Sequence, residues 1–526
     1  MDYTELDYQT AVERYAFLKE ECEEKGSASS LAKSEAEELF KVVEFFANKG
    51  NLEAQVELSK WYFYGKLIDA DYNLSFTWME KAAKKSNAEA CYELAFKHQN
   101  GWGTKKDLEQ TFKWFLKAAE LGDVRGQKEV AYCYKIAKGC TADQEKYFYW
   151  SLKAAELGDY GAMEDVSECY KKGDGVEKDL EKSFYWLEKS AEGDPYVQTT
   201  LGSEYKNGGM VEVDYEKAVY WFTRSAEANC PTGLYELALC YKDGIGVEKD
   251  PAKAFDLFSR GVDNFSEMSK CELGICYKYG FGTKQDYAQA FKVLEKAANG
   301  YAANIYIAQY ELAEMYLNGK GVGKDVEKAI ALLEKAVKRD YAPAYFLLGE
   351  CYFKKSNYEQ AVPYLLKANE NGVGDVNYML GYCYYTGSGV GVDYDKAFAF
   401  LNNARDSGIA DAYYYLASCY KNGYGTKQDY SEAFTLYEKA ANKNSPASQQ
   451  NVAEFYENGY GVSQDYEQAI YWWNRVVQSG FQYGNKRINA IQEKLRKEKR
   501  CQHCGGNFKG FLFFKKCEFC GKKKDY

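Results

Sequence analysis

The chain has 526 residues, 46% hydrophobic and 28% charged, with a formal net charge of −10. That balance excludes a disordered chain, and the length exceeds what one compact core ordinarily organises. No apolar run approaches the ~20 residues needed to cross a bilayer, so no membrane association is expected.

The opening MDYTELDYQTAVERYAFLKEEC is acidic and amphipathic. It has no basic n-region, apolar h-region or small-residue cleavage site, and so does not read as a secretory signal. Sixteen cysteines, twelve of them scattered upstream of the last 26 residues, point to a reducing compartment, and a cytoplasmic location is expected. Residues 1–50 hold two helical stretches split by Gly26-Ser27-Ala28-Ser29-Ser30 and are expected to form an N-terminal helical cap.

From 51 to 481 the chain repeats itself in twelve units of about 36 residues. Each unit reads as two helices. The first carries a Leu or Val followed by a small residue: Ser59, Ala95, Ala131, Ser167, Gly202, Ala238, Gly274, Ala313, Gly349, Gly381, Ala417 and Ala453. Only a small side chain lets two helix backbones pack closely at such a crossing. Three residues on comes an aromatic column that includes Tyr62, Tyr134, Tyr170, Tyr205, Tyr316 and Tyr420, on the same helical face. A glycine turn such as Asn422-Gly423-Tyr424-Gly425 stops the first helix, and an aspartate caps the second, as at Asp107, Asp179, Asp250 and Asp429. Gln110, Gln289 and Gln468 follow Asp107, Asp286 and Asp465 at the spacing of a capping box. Proline is scarce, at 6 residues; Pro195, Pro231 and Pro446 open units, and Pro251 follows Asp250 as a first helical residue should.

The Ala-rich first helix, the Tyr-x-x-Gly-x-Gly-Val-x-x-Asp turn and the Lys-Ala-Ala ending of the second helix resemble the Sel-1-like repeat, a relative of the tetratricopeptide repeat. The resemblance covers about four-fifths of the chain. It implies an all-α, α/α superhelical solenoid that acts as an adaptor or scaffold for a protein or peptide partner. The third unit (Ile136-Ala137-Lys138-Gly139-Cys140) and the fifth (Gly208-Gly209-Met210) have altered turns. The ninth, 341–373, lacks the Gly-x-Gly loop and resembles a tetratricopeptide unit instead; Pro363 inside its second helix predicts a kink and a bend in the superhelix.

Two residues before the Leu/Val position runs an intermittent second aromatic column: Tyr92, Tyr235, Tyr310, Phe346, Tyr378 and Tyr414, with Tyr413 and Tyr415 beside the last. These rings either line a partner-binding groove or pack between adjacent first helices, because stacking geometry serves both. Cys133, Cys169, Cys240, Cys276, Cys351, Cys383 and Cys419 keep register before the Tyr column and read as small buried hydrophobes. Neighbouring helices, ~8–10 Å apart, do not favour disulfides between them. His98 stands alone in the Tyr column and reads as structural.

Residues 482–500 are expected to close the stack as a capping helix. The last stretch, 501–526, pairs Cys501-x-x-Cys504 with Cys517-x-x-Cys520, each pair followed by glycine, around the apolar run Phe511-Leu512-Phe513-Phe514. Four thiolates on two tight turns form a closed tetrahedral set suited to structural Zn2+, with iron the main competitor. The module resembles a zinc ribbon with a short β-hairpin. Residues 494–526 hold eleven Lys and Arg against three Asp and Glu, an excess of eight positive charges; the remaining 57 basic and 75 acidic residues leave the body at −18. A basic, aromatic tail makes contact with RNA or DNA the alternative reading. The acidic body and the four thiolates weigh against it. No phosphate loop, nucleophile elbow or H-E-x-x-H motif is visible, the Gly-x-Gly pairs recur as turns, and no small-molecule substrate is suggested, so a non-catalytic chain is expected.

Overall fold

The computed structural model describes residues 8–25, 30–65, 68–498, 508–509 and 516–517. It divides into two units, Met1–Ser266 and Glu267–Tyr526. In the first, α1 (Tyr8–Lys25) and α2 (Ser30–Lys49) precede six helix pairs, from α3 (Leu52–Tyr64) with α4 (Tyr72–Lys84) to α13 (Pro231–Asp243) with α14 (Pro251–Asp263). In the second, six more pairs run from α15 (Glu267–Tyr279) with α16 (Tyr287–Ala298) to α25 (Pro446–Asn458) with α26 (Tyr466–Gln478), followed by α27 (Tyr483–Lys497). Within each unit a helix packs chiefly on the helices before and after it in the chain, so each unit is a helical stack. No described helix is long and apolar enough to cross a membrane.

The small-residue column sits at the crossing inside each pair. A Cβ on Gly202, Gly274, Gly349 or Gly381 would run into Phe222, Leu294, Leu365 or Leu401 of the second helix. Where serine occupies the column, the hydroxyl is satisfied across the crossing: Ser59 donates to the Ser75 carbonyl at 2.6 Å, and Ser75 returns a bond to the Ser59 carbonyl at 2.7 Å.

Eleven of the twelve second helices are capped by an aspartate side chain, Asp71 and Asp143 joining those read from the sequence. The capping boxes are not closed as the Gln spacing predicts. The Asp107, Asp286 and Asp465 carboxylates do accept the amides of Gln110, Gln289 and Gln468. Their own amides, however, donate to the carbonyls of His98, Tyr277 and Tyr456 at 3.0, 2.9 and 2.9 Å. A capping-box glutamine therefore finds its backbone donor already taken. The same clasp, from the cap amide to the carbonyl of the Tyr-column residue, recurs in every pair and fixes the two helices to each other.

In the turn, the first glycine ends the helix in the left-handed region, as Gly423 does at φ 73°. Ala137 takes that conformation in the third unit, at φ 58°. The second glycine serves the stack. A Cβ on Gly425 would strike the carbonyl of Tyr394, the first residue of the preceding repeat's second helix. In the ninth unit Ser356, at φ 59°, replaces this turn. There α20 (Tyr358–Glu370) continues as helix through Pro363, which has no amide to give the Glu359 carbonyl.

At the C-terminus β1 (Phe508–Lys509) and β2 (Lys516–Cys517) pair antiparallel, Phe508 opposite Cys517. Cys501, Cys504 and Cys520 lie outside the described residues, as does the Cys517 side chain.

Candidate interaction surface

The six aromatic residues expected to line a partner surface are all half-buried on first helices. Three rest on their own second helix, with centroids at 5.7 Å (Tyr92–Phe115), 6.1 Å (Tyr235–Phe258) and 5.7 Å (Tyr414–Tyr437). Tyr310 meets Tyr341 at 5.4 Å, and Phe346 fills the space beside Gly374. These five rings therefore each make a packing contact while staying partly exposed.

Only Tyr378 and Tyr414 enter a larger assembly, in the second unit. It is built on α19 (Ala342–Lys354), α21 (Asn377–Thr386) and α23 (Ala410–Asn422). Tyr382 lies 5.5 Å from Phe353, 5.6 Å from Tyr358 and 5.3 Å from Tyr415. Tyr385 continues the set to Tyr415 at 5.1 Å, and Tyr394 stacks on Tyr424 at 4.1 Å and 11°. The hydroxyl of Tyr378 donates to Asp411 at 3.4 Å. A hydrogen bond with Tyr358, then burial, raises the Tyr382 phenol to about 12, and burial raises Tyr385 likewise to about 12. These phenols stay neutral at physiological pH and offer flat apolar faces with hydrogen-bonding edges.

Phe353, Tyr358, Tyr382, Tyr385, Tyr394 and Tyr424 escape a reading made one column at a time. On the first helices they stand two and five residues after the Leu position, while Tyr378 stands two before it; these offsets share one face, and successive repeats add to it. In six other repeats the position five residues after the Leu or Val is lysine, and four of these lysines pair closely with the next first helix. Lys135 reaches Asp165 at 3.1 Å, Lys171 reaches Glu204 at 2.8 Å, Lys206 reaches Glu236 at 2.9 Å, and Lys278 reaches Glu311 and Glu314. At Phe353 and Tyr385 the ladder of charges gives way to rings.

The cysteine column is buried, at Cys133, Cys169, Cys240, Cys276, Cys351, Cys383 and Cys419. His98 lies edge-on to Phe76 at 5.3 Å, and burial lowers its basicity.

The family model described as Sel1 repeat matches residues 52–87, 88–123, 124–159, 161–195, 195–230, 231–264, 268–300, 307–341, 342–373, 375–409, 410–445 and 446–480. The chain belongs to the Sel1 repeat family. The ninth unit, expected to be tetratricopeptide-like, is matched as a Sel1 repeat with the rest. Sel1 repeat proteins generally mediate protein–protein interactions and are generally non-catalytic scaffolds. Among solved structures, the chain is similar to c5321, a protective antigen present in uropathogenic Escherichia coli strains displaying an SLR fold. The two are 26% identical over 85% of this chain and 97% of that one, with a TM-score of 0.67. A Sel1 repeat protein from Oxalobacter formigenes is 26% identical over 61% of this chain and 89% of its own, with a TM-score of 0.48. No curated protein matches the sequence.

Proposed function

We propose that this Sel1 repeat protein is a non-catalytic scaffold that holds an extended protein or peptide segment along the first-helix face of its second unit. The contiguous rings of Phe353, Tyr378, Tyr382, Tyr385, Tyr414 and Tyr415 support this reading. Tyrosine offers a large contact area at small entropic cost and clusters at binding hot spots. The test is affinity capture with the full chain, followed by affinity measurement on the partner recovered. Tyr382→Ala with Tyr415→Ala should weaken binding at least tenfold, while Tyr220→Ala, an exposed ring on a second helix, should leave it unchanged. Unchanged affinity in the double variant sinks the reading. A labelled RNA or DNA that binds and is released on removing 494–526 would favour the nucleic-acid alternative.

We also propose that Cys501, Cys504, Cys517 and Cys520 hold one structural zinc ion. The reading rests on the two C-x-x-C pairs and on the Phe508–Cys517 pairing, which brings the Cys517 backbone beside a residue that follows the first pair. Elemental analysis of the full chain should give one zinc per chain, lost in Cys517→Ser with Cys520→Ser. Iron, or no metal, rules it out. A reducing, cytoplasmic location fits the twelve cysteines scattered upstream of the last 26 residues.

A further inference from the structure

In the first unit two charged residues break the pattern that the repeat register sets, and one of them has no counter-ion among the described residues. Three positions after the Leu or Val, seven repeats place cysteine, and Trp61, Met315 and Phe455 fill the same position elsewhere. Lys97 occupies it on α5 (Ala88–Asn100) and is 4% exposed. The one other charge in that column, Glu204, is neutralised by Lys171 at 2.8 Å. Lys97 has no such partner among the described residues. Its Nζ donates to Ser75 Oγ at 2.7 Å and lies 4.5 Å from the Phe63 ring centre.

Lys97 lines a cavity of about 330 Å³. Phe63, Phe96 and Trp102 supply aromatic walls, and Phe63 and Trp102 lie 4.8 Å apart. Two further charges border it. Lys60 is already bound to Glu89 at 2.8 Å, and Glu93 forms no ion pair with Lys97. A buried cation that keeps one hydroxyl and one ring face as neighbours is costly to the fold and gains most from an anion. The volume lies in the range that holds small ligands.

We propose that this cavity binds a monocarboxylate with an aromatic or apolar body, its carboxylate meeting the Lys97 ammonium and its body lying against Phe63, Phe96 and Trp102. Glu93 on the wall disfavours a second negative charge, so one carboxylate is taken and a dianion is rejected. The same chemistry is offered by the C-terminus of a peptide ending in an aromatic residue and by a free arylalkanoic acid. The site does not depend on the aromatic face of the second unit.

Calorimetric titration of the full chain tests it with 3-phenylpropionate, its neutral amide, and a pentapeptide ending in Phe as free acid and as C-terminal amide. The acids should bind, and each amide should bind at least tenfold more weakly. Tighter binding by the peptide acid identifies a chain end as the natural ligand, and tighter binding by phenylpropionate identifies a small acid. Lys97→Met, an apolar residue like Met315 in the same column, should abolish binding. Trp102→Ala, at an exposed turn, should weaken it severalfold and serves if the first variant does not fold. Tyr382→Ala with Tyr415→Ala should leave it unchanged, which separates this site from the proposed scaffold face. Absence of binding by both acids at millimolar concentration, equal binding of acid and amide, or full binding by Lys97→Met overturns the proposal.

Discussion

A buried amine with no counter-ion is a weak point in a fold, and Lys97 shows its size. Burial holds its pKa down to about 8, against an ordinary 10.5, with the Glu93 charge opposing the shift. The folded chain must therefore carry a charge that its interior disfavours whenever the pH lies below 8. Stability lost to this residue is lost in full at pH 7 and returns as the pH rises from 8 towards 10.5. Lys97→Met is expected to raise stability at pH 7 by on the order of 2–3 kcal/mol. In denaturant titrations at several pH values, the gap between variant and parent should close towards pH 10.5. A gap independent of pH would contradict this account. The cysteines differ from Lys97 in that burial keeps them neutral: Cys133, Cys383 and Cys419 are pushed up to about 12, and Cys91, Cys169, Cys240 and Cys351 to about 11. Only the thiolate reacts. These seven should resist a thiol reagent at pH 8 in the native chain and react once it is unfolded. The less buried Cys140 should be labelled before any of these seven, as peptide mapping would show.

At the level of the helix pair, the aspartate caps set the acid limit. Asp143, Asp179, Asp214, Asp325 and Asp393 are held below the usual 3.8, first by the backbone amide three residues on. Depressed carboxyls stabilise the fold above their unfolded pKa, and that contribution disappears as the pH falls through the folded value. Circular dichroism should show helix loss setting in below about pH 4. Asp250→Ala should cost about 1 kcal/mol, and Asp250→Asn much less, because an amide oxygen also caps. Much of this scale was legible in the sequence. Twelve repeats each report on the same column, so the small residues, the Tyr column, the stop glycines and the caps emerge from the registration alone. What escaped is what joins different columns. Gly425 reads as a turn residue, but its constraint comes from the Tyr394 carbonyl one repeat earlier. The Gln spacing suggests capping boxes, but the Tyr-column carbonyls have already taken the amides those boxes need. Tyr382 and Tyr385 meet only when offsets on successive helices are superposed. The sequence marks His98 as a departure, yet Lys97 beside it is the one with a chemical consequence.

At the scale of the whole chain, stability is a sum over neighbours. Within each unit the helices are held mainly by the pairs beside them, so no single event need unfold all of it. Urea unfolding followed by circular dichroism should be broad or multistep, with a slope well below that of one cooperative 526-residue transition. Hydrogen exchange should find α20 among the faster helices of the second unit, since Pro363 removes one of its internal bonds.

The joint formed by the second turn glycine has a consequence for how such a protein changes in length. There, backbone meets backbone: a bare glycine approaches the peptide carbonyl that begins the previous second helix, at Gly425 on Tyr394, Gly246 on Tyr215 and Gly321 on Tyr287. Since side-chain identity hardly enters that contact, a copied module carries both halves of its coupling with it, ready to mate with any sibling. Duplication or excision of one whole module leaves the junction chemistry intact. The loss of a few residues within a module puts glycine and carbonyl out of step.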